Sequence, residues 1–309
     1  MCDCGRRVKQ NAAVRTLLLM AVAVAAVSLS GPLMAAMVVP PLAIAFWRNA
    51  LATVVLAPHA VTGRREELAS LGGRQVALIA GSGLALAIHF GTWVTALTLT
   101  SVASATAIVC LQIAWVVAWQ LLRGERFNVG VTVGLAVSFA GVLVVSGVDF
   151  TLSTQALVGD LLALVGGIAA AAYMLVGSKA RQSVSTTAYT FVCYGTCASL
   201  LLGACVVSGQ SLWGYDPKQW GLLVLVTLTA QLMGHSVFNH LLASTGPVVV
   251  SLALLLEVPG AALLAAWFLD QRPPVEAMAG LLLILCGMAC VILNNRAPHA
   301  EPNLQPPVD

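Results

Sequence analysis

The sequence predicts an all-α membrane protein with ten transmembrane helices arranged as two inverted five-helix repeats. Three observations predict it. Hydrophobic residues make up 59% of the 309 residues and charged residues only 9%, against about a quarter charged in a soluble globular chain. So few charges cannot cover a water-facing surface. Ten apolar runs succeed one another along the chain, each about 20 residues long and able, at about 1.5 Å per residue, to cross a core of about 30 Å. Finally, one half of the chain matches the other at a fixed shift of 146 residues.

The elements follow in order. The first span, 16–38, comes after a segment 1–15 that carries Arg6, Arg7, Lys9 and Arg15. The apolar stretch from Thr16 to Trp47 holds no charge. It exceeds the roughly 7–15 residues of a signal-peptide core, so a retained helix is expected. The next spans are 41–58, 76–97, 102–122 and 129–148, then 157–178, 186–208, 219–241, 248–268 and 277–294. Pro40-Pro41, Gly72-Gly73, Gly246-Pro247 and Pro273-Pro274 mark turns between them. The second and ninth spans are interrupted by Arg48 and Glu257. The longest polar loop, SGQSLWGYDPKQW, brings Trp213, Tyr215 and Trp220 to an interfacial belt. The tail 296–309 is polar and Pro-rich, and is expected to be disordered.

The basic residues set an orientation. With the N-terminus inside, twelve Lys and Arg fall on the cytoplasmic side and only Lys218 and Arg272 on the other, which places both termini in the cytoplasm of a multi-pass inner (plasma) membrane protein. The net charge of +3 is part of that signal and not a nucleic-acid footprint, because no basic patch is interleaved with aromatics. The cysteines give no disulfide framework: Cys110, Cys193, Cys197, Cys205, Cys286 and Cys290 lie in apolar runs and read as small buried residues, while Cys2 and Cys4 alone make a weak metal or acylation signal.

The repeat pairs His89 with His235, Leu86 with Leu232, Val102 with Val248, Arg126 with Arg272, Gly134 with Gly280, Leu135 with Leu281 and Gly141 with Gly287, all at 146 residues and without a gap. Composition bias explains Leu and Val matches cheaply, but not the His, Arg and Gly pairs. Five spans per copy is an odd number, so the second copy enters the membrane upside down. Such inverted repeats place substrate sites near the midplane, at the repeat interface.

Two stretches carry a family resemblance: HFGTWVTALTLTSVASATAIVCLQIAWVVAWQLLRGERF, and later VVVSLALLLEVPGAALLAAWFLDQRPPVEAMAGLLLILCG. In order and duplication they resemble the EamA-type family of the drug/metabolite transporter superfamily, over nearly the whole chain. The resemblance implies ten helices in two five-helix halves, here 16–148 and 157–294, and implies transport of small metabolites, with efflux the commoner direction. The sequence departs from the family pattern where Gln112 replaces a proline of the fourth helix and where Val258 separates Glu257 from Pro259. The Gly-Glu-Arg loop stands at Gly124–Arg126, but its counterpart reads Asp270-Gln271-Arg272.

The candidate substrate-binding residues are the polar groups inside spans: His89, Trp93, Gln112, His235, Asn239 and Glu257. His89 and Trp93 are four apart and share a helix face, as do His235 and Asn239. The competing reading of each His is a satisfied interhelical contact. Neither His brings a second ligand on its own helix, so no metal is expected. Gln112 either meets substrate or bonds a neighbouring helix. Glu257 has three readings: a substrate-ammonium contact, a structural or gating partner of Arg48 or a histidine, or a titrating group that couples transport to protons. Arg48 either snorkels to the interface, the preferred reading, or faces the cavity and binds a carboxylate. Asp160 is expected at an interface.

These residues point to a secondary transporter working by alternating access around a central cavity, with amino acids or related compounds as substrates. The glycines Gly81, Gly83, Gly134 and Gly141 are expected to allow close helix approach. The chain shows no His-Glu-x-x-His, Gly-x-Ser-x-Gly or Walker loop and no second carboxylate at the depth of Glu257, which speaks against an enzyme and against any cofactor. A channel is a poor fit to one pseudo-twofold chain with a single buried acid. The expected partners are a small-molecule substrate and the lipid bilayer, with no nucleic acid. Proton coupling and a homodimer are left open.

Overall fold

The computed structural model describes residues 2–125 and 128–294, and all the regular secondary structure in these is helical. The repeat pair Arg126–Arg272, the end of the Gly-Glu-Arg loop and the tail 296–309 fall outside the described residues. The helices are α1 (Cys2–Ser28), α2 (Ser30–Ala35), α3 (Pro41–Gly63), α4 (Arg65–Ser70), α5 (Gly73–Ala96), α6 (Val102–Val109), α7 (Gln112–Leu122), α8 (Val129–Leu152), α9 (Thr154–Ala180) and α10 (Thr186–Ser208). Then come α11 (Pro217–Val226), a π-helical segment Thr227–Ser236, α12 (Val237–Leu254), α13 (Glu257–Phe268) and α14 (Val275–Asn294). The expected segment 1–15 is thus taken up into α1.

Local chemistry sets the boundaries. Ser101, Ser153 and Ser185 cap α6, α9 and α10, each accepting a hydrogen bond from an amide in the first turn. Asp216 does the same for α11, with Pro217 at the first helical position. Pro41 opens α3 in the same place, and Gly209 closes α10 in the left-handed conformation. Among the described residues, seven helices are long and apolar enough to cross a membrane, and Val129–Gly141 and Val275–Val291 are shorter apolar helices. The last of the seven runs from Pro217 to Phe268, 52 residues. Drawn straight, it would measure about 78 Å, more than twice the hydrocarbon thickness. It is not straight. Gly246 leaves the helical region at φ 77°, ψ 169°, a conformation reserved for glycine, and Pro247 follows it. The sequence expectation of a turn at Gly246-Pro247 becomes a one-residue break inside a longer helical run.

Two further breaks are paired. Helices α6 and α7 part at Cys110–Leu111, and α12 and α13 part at Leu255–Leu256. Pro259 explains the second: it offers no amide to the Leu255 carbonyl, which accepts from Val258 N instead at 3.1 Å. The first has no proline, and Ala114 N bonds the Leu111 carbonyl at 2.8 Å. The glycine at Gly167 brings the backbone of α9 against the carbonyls of Ile108 and Val109 beside this break.

The tightest packing joins α8 to α14. A Cβ on Gly134 would lie 2.5 Å from the Gly287 carbonyl oxygen, one on Gly287 2.5 Å from that of Gly134, and one on Gly141 2.6 Å from that of Gly280. Ser138 Oγ sits 3.3 Å from the Ile284 carbonyl between them. The two helices therefore cross antiparallel, backbone on backbone. Large apolar side chains such as Leu122, Val207, Leu263 and Trp267 point outward, as lipid-facing positions do.

Candidate functional site

Both helix breaks deliver a polar side chain to the same place. Gln112 is the first residue of α7 and Glu257 the first of α13. They are equivalent in structure, although the sequence shift of 146 sets them one residue apart. With His89 and Trp93 from α5, His235 from the π-helical segment and Tyr173 from α9, they line one cavity of about 30 Å³. Val109, Cys110, Ala170, Met174 and Leu254 complete its wall. Such a volume holds about one water, so the site is closed around its polar groups.

His89 donates from Nδ1 to the Gly166 carbonyl at 3.0 Å. A carbonyl only accepts, so this nitrogen carries the hydrogen and Nε2 of the neutral ring is left as an acceptor. The His89 ring stacks on Trp93, with centroids 5.6 Å apart and planes 14° apart, as four-residue spacing on a regular helix allows. His89 also approaches its repeat partner His235, at 6.4 Å between centroids. Four groups on the wall have no hydrogen bond to a described residue: Trp93 Nε1, which is buried, and the side chains of Gln112, His235 and Glu257. Among the described residues, no three or more His, Cys, Asp or Glu side chains group as a metal site.

Asn239 is brought near but not onto the wall. Its Oδ1 accepts from Tyr173 OH at 2.6 Å and its Nδ2 donates to Tyr194 OH at 3.2 Å. Those two tyrosine hydroxyls hold its amide, and it stands in α12, past the junction with the π-helical segment that carries His235. Asn239 positions Tyr173, which sequence reasoning missed. The signal was a lone tyrosine within GGIAAAAYMLVG, a hydroxyl that needs a partner at that depth.

Arg48 corrects the snorkelling expectation. It is fully buried. Its Nε donates to Gln231 Oε1 at 2.9 Å and its Nη1 to Ser30 Oγ at 3.2 Å, and its guanidinium lies 4.0 Å over the Phe90 ring. Gln231 in turn bonds Asn49 at 3.1 Å. Hydropathy reads depth along a span but not the side on which a residue faces, and this cation faces other helices. Asp160 is likewise buried.

Both ends of the bundle are tied shut. At one, Gln210 Oε1 and Gln219 Oε1 accept from the amides of Leu42 and Val38, each at 3.0 Å, and Trp47 Nε1 donates to the Leu212 carbonyl at 2.9 Å. Trp47, Trp213 and Trp220 pack edge to face there. At the other end Glu67 accepts from Ser185 N at 2.7 Å and from Ser185 Oγ at 2.6 Å, at the first turn of α10.

Comparison with known proteins agrees with this architecture. The model of the EamA-like transporter family matches twice, over residues 14–147 and 157–293. An uncharacterized transporter of Archaeoglobus fulgidus is 24% identical over 254 residues, spanning 80% of this chain and 86% of that protein. A crystal structure of another protein has the same fold, with a TM-score of 0.66 at 18% identity over 92% of this chain and 99% of that one. With nearly its whole length matched in two successive copies, the chain belongs to the EamA-like transporter family and is a multi-pass membrane protein.

Proposed function

We propose that the chain is a secondary transporter that exports small metabolites, amino acids or related compounds, by alternating access around the central cavity. One observation carries this reading: a buried cavity walled by elements of both halves, with Trp93, Gln112, His235 and Glu257 offering polar groups that no described residue satisfies. Buried polar groups without partners are costly, and a solute that pairs with them offsets that cost. A cavity of about 30 Å³, in a bundle whose helices are hydrogen-bonded together at both ends, fits a carrier between open states better than a continuous pore.

In this reading the chain crosses the membrane ten times, as two inverted five-helix repeats, with both termini in the cytoplasm of the inner (plasma) membrane. The α8–α14 contact supports the inversion. Gly134 meets Gly287 and Gly141 meets Gly280, while the repeat equates Gly134 with Gly280 and Gly141 with Gly287. A contact that maps onto itself when the halves are exchanged is what a twofold axis produces. Asn239 acts here through Tyr173, and Glu257 acts as a substrate or gating contact, with proton coupling a further role for it.

The test is uptake into proteoliposomes across amino acids and metabolic amines, with and without an imposed pH gradient. Saturable flux with counterflow is the expected result. Linear, non-saturating flux would make the chain a channel, and chemical conversion of a probe would make it an enzyme. Accumulation driven by the gradient places proton coupling at Glu257.

A further inference from the structure

Resting on the reading of the chain as a carrier, we propose that Arg48 binds the carboxylate of the transported solute. The argument begins with what surrounds the guanidinium. Its hydrogen-bond acceptors are neutral: Gln231, Ser30 and the Met34 sulfur at 3.5 Å. Nη2 is buried and has no hydrogen-bond partner among the described residues. Among the described residues no carboxylate forms an ion pair with Arg48 within 4.0 Å, although the buried acid Glu257 lies close enough for the two charges to feel each other. The fold thus keeps one cation and one anion buried near each other without a hydrogen bond between them. A buried guanidinium whose Nη2 hydrogens are both unused is placed to donate to an oxygen of an anion.

Access runs through Phe90. The guanidinium lies over one ring that also packs at 76° against His235, 5.3 Å away between centroids, and His235 is on the cavity wall. Arg48 is therefore one side chain behind the cavity, and rotation of Phe90 on opening joins the two. A zwitterion then spans the site, its ammonium toward Glu257 and the acceptor Nε2 of His89, its carboxylate on Arg48. Decarboxylated amines and methyl esters keep the ammonium but not the carboxylate, and so satisfy only the Glu257 end.

The experiment uses the full chain in proteoliposomes with the twenty standard amino acids, their methyl esters and their decarboxylated amines as probes. The wild type is expected to take up at least one amino acid at least about tenfold better than its ester or amine, a ratio that a charge-assisted pair readily supplies. Arg48→Gln is expected to level that ratio while retaining ester flux, and Arg48→Lys to restore it in part. Equal loss of amino acid and ester flux in Arg48→Gln, with normal folding by size exclusion, makes the residue structural and overturns the proposal. Where Arg48→Gln does not reach the membrane, the ratio in Arg48→Lys decides. Transport of amines and esters but not of amino acids overturns this proposal and leaves the carrier reading standing. Absence of any flux overturns both. A free halide is the alternative anion: amino acid flux that collapses in chloride-free gluconate and recovers with chloride, in the wild type but not in Arg48→Lys, assigns the site to chloride and overturns the carboxylate.

Discussion

Glu257 stands at the first turn of α13, where helix amides favour a negative group, and its carboxylate meets the cavity with no bond to a described residue. Glu257→Gln keeps the shape and removes the charge. It is expected to alter transport kinetics at least several-fold while the protein remains folded in the membrane, checked by uptake alongside size-exclusion profile. Unchanged kinetics would reduce the residue to packing. Trp93→Phe makes a complementary case. It deletes the buried indole N–H but keeps an aromatic ring for His89 to stack on. An orphan buried donor costs about 1–3 kcal/mol, so thermal stability should hold or rise while solute affinity falls. The residues that sequence placed well, His89 with Trp93, lie on a regular helix where spacing translates into direction. Asn239 lies off the wall because the hydroxyls of Tyr173 and Tyr194 take up its amide, and Arg48 was misread because no single-span pattern reveals what the neighbouring helix offers.

At the scale of elements, the α8–α14 crossing has no room for side chains. Gly134→Val or Gly287→Val would drive methyl groups into a carbonyl 2.5 Å from the Cβ position. Overpacking costs about 1–3 kcal/mol where atoms can shift, and backbone shifts less readily than side chains. Separation of the pair, with a lower melting temperature in detergent, is the expected outcome. Gly246→Ala should cost about 1–3 kcal/mol through backbone strain alone, because its conformation excludes a Cβ. The end ties are weaker by design. Trp47→Ala removes the indole bond to Leu212 and the ring that Trp213 and Trp220 share. A cysteine placed at His235 in that background should react faster with a small polar thiol reagent than in the wild-type background. Hydropathy found the apolar runs, seven of which among the described residues are helices long enough to cross a membrane. It could not find the breaks at Cys110–Leu111 and Leu255–Leu256, because only Pro259 announces one of them and the other depends on the approach of α9.

For the whole molecule, duplication was the most legible property: paired His and Gly at one shift pointed to two copies, and the family matches over 14–147 and 157–293. What it could not carry was the difference between the copies. Helix α5 winds regularly through 81–90, whereas the equivalent stretch of the second half, Thr227–Ser236, is π-helical. That difference makes one copy of the wall a wider coil than its twin. If the halves trade roles when the site turns to face the opposite side of the membrane, the wider winding passes from one to the other, with 227–236 tightening as 81–90 relaxes. Amide exchange that quickens in one stretch while it slows in the other would mark each turnover as a transfer of slack between twins, so that a single chain resets itself without any outside spring.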